Sequence, residues 1–253
     1  MRRFKISALC LVASLWLIPS VSSALTLGDM KVQIRQRVND RADPKLRYSD
    51  SILTGFINEA QKDVVNDTWC LQNTTFYMLV AGTTYYNLPN DYLAVMQVNF
   101  RESNGRIRSL EEKGKRALFQ ENPDWARQTG APVNYFTQVS TSGTSINTAL
   151  QIVYIPIPTS ASTGTVMIDY YSQVTNLSSD SDVPFNGFRN LYPYHHAIVD
   201  LVSYRIKMIE GQADQAKAYF ELYSARVQAM VNRFQSSPNY FPNVSAAGNT
   251  RTR

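Results

Sequence analysis

The sequence predicts an α+β fold, a helical bundle of two N-terminal and two C-terminal helices with an inserted antiparallel β-rich middle. Three observations predict it. Apolar residues recur at helical spacing within about 27–39, 50–64, 188–210 and 213–234. Shorter runs between 74 and 173 carry strand-like patterning, clearest where Val166, Ile168 and Tyr170 alternate with Thr165, Met167 and Asp169. Turn residues punctuate that middle, including an Asn104-Gly105 step and a Pro-, Ser-, Thr- and Gly-rich loop over 156–164.

The chain has 253 residues, 44% hydrophobic and 18% charged, which suits a packed globular core rather than a disordered chain. Residues 1–24 divide into a basic start (Arg2, Arg3, Lys5), an apolar run from Ile6 to Ile18, and a small-residue end with Ser22 and Ala24. That is the layout of a secretory signal peptide, and the apolar run is short for a spanning helix. The other reading is an upstream start that adds a fortuitous hydrophobic extension. The formal net charge of +5 owes three charges to this segment. Without it 22 basic residues face 20 acidic ones, too small an excess to name a partner. Of the two cysteines, Cys10 lies in the leader, so Cys70 has no partner for an internal disulfide once the leader is gone.

The first helix is predicted over Leu27–Asn39, capped by Thr26 with Asp29 three residues on. Leu27, Met30, Ile34 and Val38 form its apolar stripe, and Arg35, Arg37 and Arg41 fall off the stripe and are expected to be solvated. A turn ending at Pro44 leads to a second helix from Ser49 or Asp50, with Ile52, Leu53, Phe56, Ile57, Ala60 and Val64 on one face. In the middle, 74–80 and 84–88 flank Ala81-Gly82-Thr83 and read as a hairpin. So do 93–100 and 106–110 about Asn104-Gly105. Residues 111–128 look short-helical with a break at Asn122-Pro123, and strands follow over 133–139, 150–155 and 165–173. The third helix is predicted over Phe188–Glu210 and the fourth over Ala213–Phe234, joined at Gly211 as an αα-hairpin. The resulting segments are 1–24, 25–70, 71–180, 181–235 and a polar tail at 236–253.

No catalytic set emerges, and no cofactor or metal is implied. His195 and His196 are the only histidines, and no further Cys or His completes a zinc site. His196 and Asp200 are one helical turn apart and could share a metal or a proton. The bland reading is one histidine packed at a helix start and one solvated. Asp180 and Asp182 lack the spacing of a calcium loop, so Asp182 is read as shaping the turn before Pro184. Lys113-Gly114-Lys115 is not a phosphate-binding loop, and no Gly-x-Ser-x-Gly step occurs. Arg101, Arg106, Arg108, Lys113, Lys115 and Arg116 cluster in sequence but are offset by Glu102, Glu111 and Glu112. They are either a mixed solvated face or a weakly basic, DNA-facing surface that would hold phosphates without sequence preference.

Several motifs, in this order, resemble one family. They are Arg47-Tyr48-Ser49-Asp50 followed by Phe56-Ile57-Asn58-Glu59-Ala60-Gln61; Gly82 with Tyr85, Leu88, Pro89, Asp91 and Tyr92; and Asn122-Pro123-Asp124-Trp125. Thr129-Gly130-Ala131-Pro132, Ile155-Pro156-Ile157-Pro158, Ser181-Asp182-Val183-Pro184 and Tyr194-His195-His196-Ala197 with Asp200 complete the set. Over about Leu25 to Phe234 the chain resembles the head-to-tail adaptor, or connector, proteins of tailed phages. The resemblance implies a structural virion protein rather than an enzyme: a self-assembled ring, often dodecameric, bound to the portal protein above and to a tail nozzle or tail-tube protein below, with double-stranded DNA passing through. It also implies that the C-terminal tail reaches the portal, with Tyr240 and Phe241 as anchors and Arg251 and Arg253 as charge contacts. Such proteins assemble in the host cytoplasm, so the leader departs from the pattern and leaves an exported surface or periplasmic binding protein as the alternative. A hydrolase with carboxylates not distinguished by sequence is the third reading.

Overall fold

A computed structural model describes residues 24–40, 47–141, 148–160 and 164–235. The predicted leader up to residue 23, Arg41 and the tail from 236 onward lie outside those residues. The α+β class holds, with five α-helices and two four-stranded sheets among the described residues.

Helix α1 spans Leu27–Val38 and begins with the predicted capping box. The Thr26 hydroxyl accepts from the Asp29 N–H, and the Asp29 carboxylate accepts from the Thr26 N–H at 3.0 Å. The N–H groups of Leu27 and Gly28 donate to the carbonyls of Asp182 and Asp180 at 2.8 and 3.0 Å. Donors that a helix start leaves unpaired are thereby satisfied by the Ser181-Asp182 loop. Helix α2 spans Asp50–Thr68, and the Ser49 hydroxyl caps it through the Ile52 N–H. Its buried face is Leu53, Ile57, Ala60, Val64 and Val65, whereas Ile52, predicted inward, is exposed. Near the end of the chain α4 (His195–Ile209) and α5 (Ala213–Gln235) reverse at Gly211, whose φ of +72° suits glycine. The α4 helix starts seven residues later than predicted from Phe188. Pro193 lacks an N–H and disfavours α geometry before it, so Arg189–Tyr194 winds as a 3-10 turn instead. The four helices α1, α2, α4 and α5 share one apolar core, with Ile34, Ile57, Ile198, Val202 and Met230 fully buried.

The middle forms two sheets. Strands β1 (Gln72–Met78), β8 (Gly164–Ser172), β3 (Tyr92–Glu102) and β4 (Ile107–Ser109) lie side by side in that order. The second sheet runs β2 (Tyr85–Asn87), β7 (Thr148–Ile155), β6 (Asn134–Thr141), β5 (Glu111–Glu112). All pairs are antiparallel except β5 with β6, which corrects the all-antiparallel expectation. The β3–β4 hairpin forms as predicted, with Gly105 at φ +85°.

The other predicted hairpin does not form. The turn at Gly82 is present, with φ +77°, but it carries the chain from one sheet to the other. All seven residues of β1 pair with β8, whereas β2 has three residues and pairs with β7. The longer ladder wins, because each added pair contributes hydrogen bonds and cross-strand contacts. Tyrosines span the crossing: the Tyr77 hydroxyl donates to the Asn87 carbonyl at 2.6 Å, and the Val80 N–H donates to the Tyr86 hydroxyl at 2.8 Å.

Inward residues of both sheets, among them Val98, Phe100, Val166, Ile168, Ile152 and Tyr154, make a second core. The short helix α3 (Lys115–Glu121) and a 3-10 turn at Trp125–Arg127 add a third cluster, Leu118 and Trp125 against Phe136, Val153 and Ile155 of the second sheet. The predicted break at Asn122-Pro123 separates these two turns, but Glu111 and Glu112, expected to be helical, are strand.

The sheets and helices are stitched together by the segment after β8. The Asn58 side chain donates to the Leu177 carbonyl at 3.0 Å and accepts from the Leu177 N–H at 2.8 Å. Gln61 donates to the Thr175 carbonyl at 3.0 Å. Among the helices the central contact is charged: Asp200 on α4, with no exposed surface, accepts from Arg37 on α1 and from Arg226 on α5. Arg35 likewise pairs with Asp40 at 2.7 Å and Asp50 at 2.6 Å. Arg35 and Arg37 are therefore not the solvated residues their position off the stripe predicted. An unpaired charge in a helix interface would be costly, and the partners lie on other segments. Replacing Asp200 by Ala leaves two guanidinium groups facing each other and should lower unfolding free energy by about 3 kcal/mol, read as a reduced urea midpoint at unchanged m-value. A loss within experimental error would show that solvent already compensates the arginines.

Candidate functional site

The family-like motifs prove to be joints of the fold. Arg47 donates to Glu210 at 2.6 Å and to the Val38 carbonyl at 2.9 Å, tying the α1–α2 turn to the end of α4. Asp50 accepts from Arg35, Asn58 and Gln61 hold the 175–177 segment, and Asp182 receives the N–H groups of Ser178 and Ser179 at 2.7 and 2.8 Å. Those bonds hold the Asp182 carboxyl below the usual carboxylate range, the Ser178 N–H contributing most. Asp182 shapes its turn, as its position before Pro184 suggested, and Asp180 pairs with Lys31 at 2.7 Å.

The two histidines are both structural. His195 is fully buried, and its Nδ1 accepts from the Leu25 N–H at 3.1 Å. Burial, aided by the neighbouring His196, pushes its pKa down to about 4. His196 is half-buried rather than solvated as expected. Burial lowers its pKa, and Arg226 and Arg37 lower it further. Asp200, one turn away and a possible partner by spacing, is already taken by those two arginines. Cys70 is buried and free, and burial pushes its thiol up to about 11, so it is not a nucleophile at neutral pH. No group of three or more His, Cys, Asp or Glu side chains that could hold a metal ion occurs among the described residues.

The basic residues fall into two groups. Arg101, Arg106 and Arg108 sit on the β3–β4 hairpin, Lys113 follows β5, and Lys115 and Arg116 open α3. Arg108 turns away from solvent, its guanidinium 5.2 Å from the centre of the Phe100 ring and its Nε 3.7 Å from Glu102. Lys113 pairs with Glu121 at 2.8 Å, and that bond raises its pKa. Arg101, Arg106, Lys115 and Arg116 are exposed. Two of the six charges are thus largely answered within the chain, and four face solvent. Tyr240, Phe241, Arg251 and Arg253 lie outside the described residues.

A different surface is more conspicuous. The outer face of the β1–β8–β3–β4 sheet leaves Phe76, Met78 and Ile107 exposed, while α3 and Trp125 cover the outer face of the other sheet. Sequence reasoning missed it because 76–80 is apolar at successive positions, so alternation alone does not say which side is buried. No helix among the described residues is long and apolar enough to cross a membrane.

Among the described residues four core helices surround a β-rich middle, and no metal-binding cluster occurs. The family model described as SU10 adaptor protein matches residues 25–247, and the chain belongs to that family of phage adaptor proteins. No curated protein matches the sequence closely. Membership makes the chain a structural protein of the phage particle, of a class that joins portal and tail components and is in general not enzymatic.

The buried His195 gives the fold a pH dependence. Between its ordinary value near 6.5 and about 4 the unfolded chain binds a proton that the folded chain does not. Its contribution is therefore fully present above pH 6.5 and declines on acidification, at up to roughly 1.4 kcal/mol per pH unit. The His195→Gln variant retains a side-chain acceptor for Leu25 without a titrating group. It should flatten the thermal midpoint between pH 6.5 and 4.5, and an unchanged slope would assign the dependence elsewhere.

Proposed function

We propose that the chain forms the ring that joins portal to tail in a tailed phage and lets double-stranded DNA pass through. The observation that carries this reading is the extent of the family match: residues 25–247 take in both helix pairs, the β-rich middle and most of the tail. The reading includes a self-assembled ring, dodecameric in the form the resemblance implied, with a portal protein on one side and a tail nozzle or tail-tube protein on the other. The exposed Arg101, Arg106, Lys115 and Arg116 supply phosphate contacts of the weak, sequence-independent kind that a DNA channel needs. The tail at 236–253 docks on the portal, with Tyr240 and Phe241 as apolar anchors and Arg251 and Arg253 as charge contacts. A tail that orders on a partner loses conformational entropy, which those contacts must offset.

Electron microscopy of the full chain, alone and mixed with portal protein, should show rings, and monomers under every condition would overturn the reading. Truncation after Gln235 keeps every described helix and should leave the thermal midpoint unchanged while abolishing portal binding. Binding that survives truncation would relocate the portal contact.

The leader favours a second reading, an exported surface or periplasmic binding protein. Its basic start, apolar run and small residues at Ser22 and Ala24 have the layout of a cleaved signal. Mass spectrometry of the mature N-terminus separates the two. An N-terminus at Leu25 in secreted material supports export, whereas the chain in purified particles supports the virion role.

A further inference from the structure

The outer face of the β1–β8–β3–β4 sheet has a pattern that the fold itself does not use. Phe76, Met78 and Val80 are 64%, 77% and 57% exposed, while Leu79 between them is buried. The strand register sets Met78, Thr165, Arg101 and Ile107 in one row across the sheet, and Phe76, Met167, Asn99 and Ser109 in the next. Both outermost positions of the first row, Met78 at the β1 edge and Ile107 at the β4 edge, are exposed apolar side chains, Ile107 being 61% exposed.

Among the described residues the β1 edge is unprotected. Free strand edges are ordinarily kept short, charged, or interrupted by proline. Three of the four sheet edges follow that rule: β2 has three residues, β5 is a pair of glutamates, and β4 has three residues including Arg108. Strand β1 has seven residues, and from Gln72 to Val80 the sequence holds no charge and no proline. Its ladder to β8 occupies one side, and no described strand pairs with the other.

We infer that the free edge of β1 receives strand β4 of a second copy, so that one sheet runs from subunit to subunit. The inference rests on the adaptor reading and specifies the surface by which the copies join. The two edges lie at opposite ends of the same sheet, so the contact is head-to-tail. An open run of copies then keeps one free β1 at one end and one free β4 at the other until rotation closes a ring. The joint brings apolar edge residues together, with Ile107 of one copy beside Phe76 and Met78 of the next. Charge is compatible: β1 is uncharged, and Arg108, the one charged residue of β4, is turned inward over Phe100. The exposed parts of Phe76, Met78 and Val80 amount to roughly 400 Å², near the apolar share of the ~800 Å² that each side of a standard interface buries.

A cysteine pair tests the joint. In full-length protein carrying Cys10→Ser, the double variant Met78→Cys with Ile107→Cys cannot close within one chain, because three strand spacings, about 14 Å, exceed disulfide reach. Cys70 is buried and stays out of the exchange. After mild oxidation, alone and on portal protein, a ladder of covalent oligomers on a non-reducing gel is expected from the double variant and only monomers from either single variant. In parallel, Phe76→Lys with Met78→Lys should keep the thermal midpoint within a few degrees, since both side chains face solvent, yet lose the assembled peak in light scattering. Rings of wild-type protein with no ladder and no effect of the lysines would overturn the joint and leave the adaptor reading standing. Dimers from the Met78→Cys single variant would replace it with a two-fold β1 contact, which also overturns it. Wild-type protein that never assembles would remove the adaptor reading and the joint together.

Discussion

A carboxylate with no access to solvent sets the terms on which the helices meet. Asp200 lies within the helical core and is held by Arg37 from one end of the chain and Arg226 from the other. Burying an ionised group is tolerable only with close, well-aligned partners, so α1, α4 and α5 are constrained to one arrangement by a contact that apolar packing alone would not specify. Arg205 on α4 adds a similar tie to Asp63 on α2, and the Tyr223 hydroxyl on α5 donates to Asp67 at 2.6 Å. The helices come from segments more than a hundred residues apart, and the whole β-rich middle is inserted between them.

That insertion needs its own anchor. Asn58 supplies it by a reciprocal pair of hydrogen bonds to Leu177, and the 180–182 loop satisfies the first N–H groups of α1. The chain leaving the last strand is thus fixed to both N-terminal helices before α4 begins. The residues that made the sequence recognisable as an adaptor are the ones making these contacts: Arg47, Asp50, Asn58, Gln61, Asp182 and His195. In this chain they hold the fold together. The surfaces proposed to meet partners are elsewhere, on the open sheet face, the exposed arginines and the tail.

Local patterns were readable where local physics decides them. The capping box of Thr26 and Asp29, the Ser49 cap, the Asn104-Gly105 hairpin and the Gly211 reversal all follow from a few neighbouring residues. Two of the failures came from partners distant in sequence. The 74–88 hairpin was predicted from a glycine turn between two strands, yet β1 joins β8, almost a hundred residues away, because that ladder is longer. Arg35 and Arg37 were assigned to solvent because their partners Asp40, Asp50 and Asp200 cannot be matched from helical spacing. The helix predicted from Phe188 began late because Pro193 acts on the turn before it.

The sequence by itself determined the α+β class, the order of helices and strands, and the membership of an adaptor family, since periodicity, caps and ordered motifs are local properties of the chain. Only the tertiary structure decided which strands pair, which charges are buried, and which of two apolar sheet faces is covered. Those outcomes depend on competition between distant segments for the same partners. The covered face lies beneath α3 and Trp125, whereas no described segment covers Phe76, Met78 and Ile107, a difference that alternation along a strand cannot encode.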